Sequence, residues 1–263
     1  MLGKLVKYDL KWTYKPLVVF YILAFMASII GRVMGEVDNS WLWSILSQIC
    51  LGFAIAMMVN ALINNLMRAW VRLIRNMYKD EAYLTHTLPV EKKTIYTAKI
   101  LSAVISMLTT AVVIVICVAI CYYSKENLEM LKTSVEFMAN AYDSTVVSFL
   151  ATVIVVIVLE LLFALFAGYI GILIGHRANN LKMVKSIVFG FLAYMIPSAI
   201  TLLAIYVIGL FQPEVMNLFY TQTTLEIETM KTVLLGDMVM YFVYIILYYW
   251  LGKKILEKGV NVD

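Results

Sequence analysis

The sequence predicts an all-α polytopic membrane protein with six transmembrane helices. Of its 263 residues, 63% are hydrophobic and only 14% are charged. Soluble domains lie nearer half apolar and a quarter charged, so the composition indicates an integral membrane protein. Six apolar runs reach the roughly 20 residues that a helix needs to cross a bilayer. Their predicted bounds are Leu17–Met34, Leu42–Met67, Thr94–Tyr123, Thr145–Gly175, Met183–Phe211 and Leu234–Leu256.

No long polar insertion separates these runs, so we expect one membrane domain over 1–263, with its six helices within 17–256. The first run follows several lysines, as a signal peptide would. No small-residue cleavage site follows it, which favours a retained helix.

Residues 1–15 form a basic, amphipathic segment before the first span. Four lysines recur at spacings of three or four and share one helical face, while leucines and Trp12 lie mostly opposite; the lysines are Lys4, Lys7, Lys11 and Lys15. The pattern predicts an interfacial helix that binds membrane lipid. Pro16 would then allow a sharp turn into the first span.

Basic residues predict the orientation. Of the 21 Lys and Arg, 17 fall on one side of the six spans. Arg32, Lys125, Lys132 and Lys231 fall on the other side. Positive loops stay in the cytoplasm, so both termini are expected inside. The net charge of +4 follows from this distribution and does not indicate a nucleic-acid partner.

The loop between the second and third spans contains a short, charged helix candidate that is closed by Pro89. Within 76–91, Met77, Leu84 and Leu88 fall near one helical face, which would suit a hydrophobic cleft in a soluble partner. Charged residues on either side could fix the register of such a contact; they are Lys79, Asp80 and Glu81. The alternative is a solvated connector that only stabilises the two spans.

Glu160 stands midway along the fourth span, where a carboxylate costs of order 2.5–3.5 kcal/mol. It is either a substrate contact or proton-coupling site, or a hydrogen-bonded carboxyl that ties helices or subunits together. Three small residues later in the same span predict a close helix contact; they are Gly168, Gly171 and Gly175. Pro197 would free a backbone carbonyl and bend the fifth span.

Three asparagines near the predicted end of the second span are expected to satisfy helix-end groups; they are Asn60, Asn64 and Asn65. Two of the three cysteines, Cys117 and Cys121, lie one helical turn apart and are interpreted as packing residues.

Catalytic chemistry needs convergent polar groups, and the sequence pattern lacks them. Both histidines, His86 and His176, fall in or beside loops, no span carries paired acidic residues, and no Cys or His spacing fits a metal site. No phosphate-binding glycine loop is present. We therefore expect no catalytic residues, no metal and no cofactor on this chain.

The opening MLGKLVKYDLK, the six spans and the segment DEAYLTHTLPV together resemble bacterial ABC-2-type transporter permeases, especially stand-alone permeases of Gram-positive bacteria. The resemblance covers essentially the whole chain. It implies a dimer of permeases, identical or homologous, in the plasma membrane, with two separate ATP-binding subunits that hold ATP and Mg.

The resemblance also implies roles for two segments. Residues 76–91 would form the coupling helix, and 1–15 the connecting helix. The expected ATPase-docking residues are Met77, Lys79, Asp80, Glu81, Tyr83, Leu84 and Leu88. Related systems export antimicrobial peptides, lipids and other amphipathic compounds.

The sequence leaves three other classes open. One is a secondary transporter that uses Glu160 as a proton carrier. Another is an intramembrane enzyme, a protease or lipid transferase, and the last is a structural membrane scaffold.

Overall fold

The computed structural model describes residues 1–37, 41–79, 81–212, 215, 216, 219 and 227–259. The helices in these ranges are α1 (Leu2–Gly35), α2 (Trp41–Met77), α3 (Ala82–Thr87), α4 (Lys92–Tyr122), α5 (Lys125–Ala141), α6 (Val146–Gly175), α7 (Lys182–Phe211) and α8 (Ile227–Glu257).

Six of these helices are long and apolar enough to cross a membrane: α1, α2, α4, α6, α7 and α8. The predicted all-α polytopic class is therefore confirmed. The second span is longer than predicted, because α2 continues to Met77 and has 37 residues. At 1.5 Å per residue it is about 55 Å long, well beyond a hydrocarbon core of about 30 Å.

The expected turn at Pro16 is wrong, because α1 runs unbroken through the proline from Leu2 to Gly35. A proline inside a helix leaves the carbonyl four residues earlier without its usual donor. That carbonyl belongs to Trp12, and Nη2 of Arg68 donates to it at 3.2 Å. The same guanidinium lies 4.1 Å from the Trp12 ring centroid. A side chain from α2 thus replaces the missing helical donor.

The helices pack in two compact units, Met1–Glu129 and Met130–Asn261. In the first unit, α1 packs against both α2 and α4. Small side chains let these helices approach closely: a Cβ on Gly31 would lie 2.9 Å from the Leu51 side chain. Oγ of Ser47 donates to the Gly31 carbonyl at 2.6 Å in the same contact. The single domain predicted from the sequence stays a prediction.

The core of the first unit contains both neighbouring cysteines. Cys117 and Cys121 are buried in an apolar cluster, as their interpretation as packing residues requires. The other members of this cluster are Ala24, Ala27, Ala54 and Met58.

A buried polar layer crosses the first unit and corrects the assignment of Asn65. Nδ2 of Asn65 donates to Oγ1 of Thr110 at 2.7 Å, and Oδ1 of Asn65 accepts from Oγ of Ser106 at 2.8 Å. Asn60 and Asn64 donate to carbonyls one turn earlier in α2. None of the three caps the helix end, because α2 extends beyond them.

In the second unit, α6 packs against α7 and α8. A Cβ added to Gly171 would lie 2.3 Å from backbone atoms of Gly190, and one on Gly175 would lie 2.3 Å from the backbone of Ser186. The predicted close contact at these glycines is confirmed. Oη of Tyr248 donates at 2.6 Å to the Ala193 carbonyl, which is four residues before Pro197.

Candidate functional site

The segment between α2 and α4 presents two apolar side chains on the surface. On α3, Ala82 and Thr85 are buried, while Tyr83 and Leu84 on the other side are 69% and 73% exposed. The helix is only six residues long, too short to be stable by its own hydrogen bonds. Contacts with its surroundings must therefore hold it in place.

Glu81, which directly precedes α3, supplies the strongest of those contacts. Its Oε2 accepts from Nη1 of Arg72 at 2.6 Å and also from the side-chain amide of Asn76. Nη2 of Arg75 lies 3.7 Å from Oε1 of the same carboxylate. At the other end of α3, Nε2 of His86 donates to the Met77 carbonyl at 3.1 Å. Both ends of the segment are thus bonded to α2.

The charged contacts around Glu81 continue into the interior of the first unit through Asp9 on α1. One Asp9 oxygen accepts from Nε of Arg72 at 2.8 Å, and Nζ of Lys99 on α4 lies 2.6 and 2.7 Å from the two oxygens. Nζ of Lys99 also donates to the side-chain oxygen Oδ1 of Asn76. Asp9 is 2% exposed and Lys99 is 5% exposed. The network of Asp9, Arg72, Asn76, Glu81 and Lys99 is called the ion network below.

The ion network combines two carboxylates with two cations, and Arg75 adds a third cation beside Glu81. Buried ions are tolerated only when they are paired and hydrogen-bonded, because each loses its hydration shell. Here Asp9 makes three charged contacts, and the Asn76 amide joins Lys99 to Glu81. The network connects α1, α2 and α4 to the base of α3, so these four elements move together unless buried ion contacts break.

The structure separates the predicted docking residues into distinct groups. Tyr83, Leu84 and Leu88 are exposed, and Lys79 is exposed as well. Met77 is fully buried at the end of α2, so its predicted place beside Leu84 and Leu88 on one exposed face is wrong. The chain turns after Met77, and the helical periodicity does not continue through that turn.

Two other predicted docking residues have different outcomes. Glu81 is part of the ion network and so does not set register by itself with a partner. Asp80 lies outside the described residues. The docking role of the whole set remains a prediction.

The sequence pattern did not predict a role in this site for four residues of the ion network, which are Asp9, Arg72, Asn76 and Lys99. Burial of Asp9 could have been predicted, because this residue lies on the same helical face as Val6 and Thr13 and not on the face of the lysines. The partners of Asp9 are 63 and 90 residues away in the chain, and helical periodicity contains no information about such pairs.

A second polar cluster lies within the second unit, around Glu160 on α6. Oη of Tyr194 on α7 donates to Oε1 of Glu160 at 2.6 Å. Tyr241 and Asp237, both on α8, lie near enough to this carboxylate to interact with it electrostatically. The prediction of no paired acids concerned acids within one span, and Glu160 and Asp237 belong to two different spans.

Phe163, one turn after Glu160, anchors an aromatic cluster beside these acids. Its ring centroid lies between 5.1 and 6.2 Å from four tyrosine rings, those of Tyr194, Tyr241, Tyr244 and Tyr248. The Glu160 carboxylate therefore has a hydrogen-bond donor from α7 and lies beside aromatic rings from both α7 and α8.

Metal binding finds no support in the described part of the chain, which contains no group of three or more His, Cys, Asp or Glu placed to hold an ion. His176 is buried and bonded to Oγ of Ser186 at 3.0 Å.

No protein-family model, curated protein or solved structure matches this chain. The resemblance to ABC-2-type permeases therefore stays a prediction that depends on the quoted sequence segments.

Proposed function

We propose that this chain is the transmembrane permease subunit of an ATP-driven exporter for an amphipathic substrate, such as a peptide or a lipid-like compound. One observation supports the proposal above the others: an exposed apolar pair, Tyr83 and Leu84, lies on a short helix whose base is bonded to α2 and, through the ion network, connected to α1 and α4. A soluble partner that binds this pair could move those helices.

In this proposal the partner is a separate ATP-binding subunit, which holds ATP and Mg. Movement of α3 passes through Glu81 and Arg72 to Asp9, and from Asp9 to Lys99. Because the contacts are charged and buried, they resist separation better than a solvated connector would. A second permease, identical or homologous, completes the assembly, with both termini in the cytoplasm of a bacterium.

A photo-crosslinking experiment tests the docking site. A benzophenone amino acid replaces Leu84 in one variant and Phe137 in a matched control, where Phe137 is 74% exposed on α5. We expect crosslinks from position 84 to a protein that binds ATP, and none from position 137. Leu84→Asp should abolish co-purification of that protein, because a charge cannot enter an apolar cleft without a large desolvation cost.

Two results would reject the docking site: crosslinks at position 84 only to proteins that do not bind ATP, or undiminished co-purification with Leu84→Asp. Folding is checked by thermal unfolding in detergent. Since Leu84 is exposed, its substitution should shift stability by no more than about 0.5 kcal/mol.

A proton-coupled secondary transporter is the second candidate, and the cluster of Glu160, Asp237, Tyr194 and Tyr241 favours it. Two nearby carboxyls with hydroxyl neighbours could hold and release a proton. Uptake or efflux in cells depleted of ATP, with an imposed proton gradient, separates the candidates. Transport that survives ATP depletion and is lost in Glu160→Gln supports the proton-coupled transporter. Transport that stops when ATP is depleted supports the exporter.

A further inference from the structure

An apolar groove runs between α1 and α4 in the first unit. It has a volume of about 290 Å³ and is lined by Tyr21, Ile22, Phe25, Val113, Ile116 and Cys117. The hydroxyl of Tyr21, the one phenol in this lining, is already bonded to Oγ1 of Thr110 at 2.6 Å. The groove therefore offers a surface of hydrocarbon character along both helices.

A second hollow of about 420 Å³ continues the groove toward the C-terminal ends of both helices. Its lining consists of Arg32, Ile116, Ala119, Ile120 and Tyr123. Ile116 lines both hollows, so they adjoin each other along α1 and α4, and the two together are called the channel below. At one end of this channel the single polar group is the Tyr21 hydroxyl, which is already bonded, and the other end has the guanidinium of Arg32 and the phenol of Tyr123.

The channel has the length of half a bilayer. From Tyr21 to Arg32 the rise along α1 is about 17 Å. Half of a hydrocarbon core of about 30 Å is about 15 Å. A molecule whose apolar part begins at Arg32 and reaches Tyr21 would thus extend from the membrane surface to the midplane.

Arg32 can bind an anionic group at the end of the channel. Its Nε donates to Oε1 of Glu36 at 2.8 Å, and within the described residues this is its only partner. The two Nη groups are left to donate to another acceptor. Guanidinium groups bind phosphate oxygens with paired, charge-assisted hydrogen bonds. Tyr123 beside it is 68% exposed, in the position that interfacial tyrosines take near lipid headgroups.

We propose that this channel is a binding site for one phospholipid, with an acyl chain between α1 and α4 and the phosphate on Arg32. The lipid belongs to the leaflet on the side of the membrane opposite the N-terminus. A peptide segment fits less well, because its backbone N–H and C=O groups would find no partners on the apolar lining. The site does not depend on the proposed export function.

Native mass spectrometry of the delipidated protein tests the site, with dioleoylphosphatidylglycerol and dioleoylglycerol as probes. We expect the wild-type protein to retain one phosphatidylglycerol molecule tightly. Retention of dioleoylglycerol should be at least about tenfold weaker, because this probe lacks the phosphate and so loses the charged hydrogen bonds to Arg32. Arg32→Gln should remove the difference between the two probes.

Matched variants separate this site from the general lipid coat. Ile116→Trp fills the shared part of the channel and should abolish retention of the lipid. Val115→Trp, one residue earlier at a position that is 67% exposed and outside the lining, should leave retention unchanged. Glu36→Gln should strengthen binding of phosphatidylglycerol, since it removes a negative charge beside the phosphate.

Several outcomes would overturn the proposal. Retention that is equal in wild type, Ile116→Trp and Val115→Trp would show nonspecific lipid only. Equal retention of both probes by the wild-type protein would exclude phosphate recognition by Arg32. Thermal unfolding of each variant in detergent must stay near that of the wild type, and Arg32→Lys, which keeps the charge, should retain part of the preference.

Discussion

At the scale of single residues, Asp9 is a charged side chain in the interior of the first unit. Its carboxylate is almost fully buried and bonded to Arg72 and Lys99 from two different helices. Removal of one partner from a buried ion pair leaves the other charge uncompensated, which costs about 3–5 kcal/mol. Asp9 therefore matters for stability because its removal would leave the buried charges of Arg72 and Lys99 without their carboxylate partner.

Asp9→Asn is therefore expected to destabilise the protein by about 3–5 kcal/mol, measured by thermal or denaturant unfolding in detergent. Glu136→Gln is the control, because it removes a carboxylate from an exposed pair with Lys132 and should cost less than about 1 kcal/mol. The double variant Asp9→Leu/Lys99→Met should be more stable than Asp9→Asn. A loss no larger than that of Glu136→Gln would contradict the assigned network.

At the scale of secondary-structure elements, the α6–α7 contact depends on the absence of side chains. At Gly171 a methyl group would collide with the backbone of Gly190, which cannot move without shifting α7. Gly52 on α2 has open space where its Cβ would be. The same substitution should thus have opposite effects at the two glycines.

Gly171→Ala should lower stability by about 1–3 kcal/mol because it overpacks the contact. Gly52→Ala should be neutral or raise stability by up to about 1 kcal/mol, since alanine loses less conformational entropy in a helix. Unfolding midpoints of both variants in the same detergent measure the difference. Equal shifts would mean that the two helices do not approach each other as closely as described.

A double-mutant cycle tests the replacement donor at Pro197. Tyr248→Phe removes the hydroxyl that bonds to the Ala193 carbonyl and should cost about 1 kcal/mol. In a Pro197→Ala background the helix supplies its own N–H to that carbonyl, so Tyr248→Phe should cost much less. An identical cost in both backgrounds would show that the hydroxyl stabilises the protein by some other contact.

The sequence predicted the helices well where their apolar composition determines the structure. It predicted poorly the features that depend on contacts between side chains of different helices. The six spans and the close contact at Gly171 follow from composition and small residues. The continuation of α1 through Pro16 could not be predicted, because it depends on Arg68 from another helix. For the same reason, Asp237 beside Glu160 was missed: the two acids are brought together by the packing of α6 against α8.

At the scale of the whole molecule, the distribution of lysine and arginine predicts which side each loop faces. Single cysteines at Lys79 and Lys132 probe opposite sides, and the native cysteines lie within the long helices. A membrane-impermeant maleimide added to intact cells should label Lys132→Cys and not Lys79→Cys. Lysed cells should show labelling of both. The reverse pattern in intact cells would place the termini outside and remove α3 from the reach of any cytoplasmic ATPase.

The candidate docking surface shows the same division between composition and pairing. Exposure of Leu84 and Leu88 agrees with the helical pattern, whereas burial of Met77 follows from the turn that ends α2. The anchoring of α3 by Glu81 depends on contacts from α2, so the loop sequence by itself could not reveal it.

The hydroxyl of Tyr248 has a consequence for permeability. A bare carbonyl at a proline bend inside hydrocarbon attracts water, and a file of water molecules conducts protons. The Tyr248 hydroxyl donates to the Ala193 carbonyl, so this polar atom inside α7 already has a partner and needs no water molecule. Pro197 therefore opens no path at this point through which protons could cross the bilayer and dissipate its electrochemical gradient.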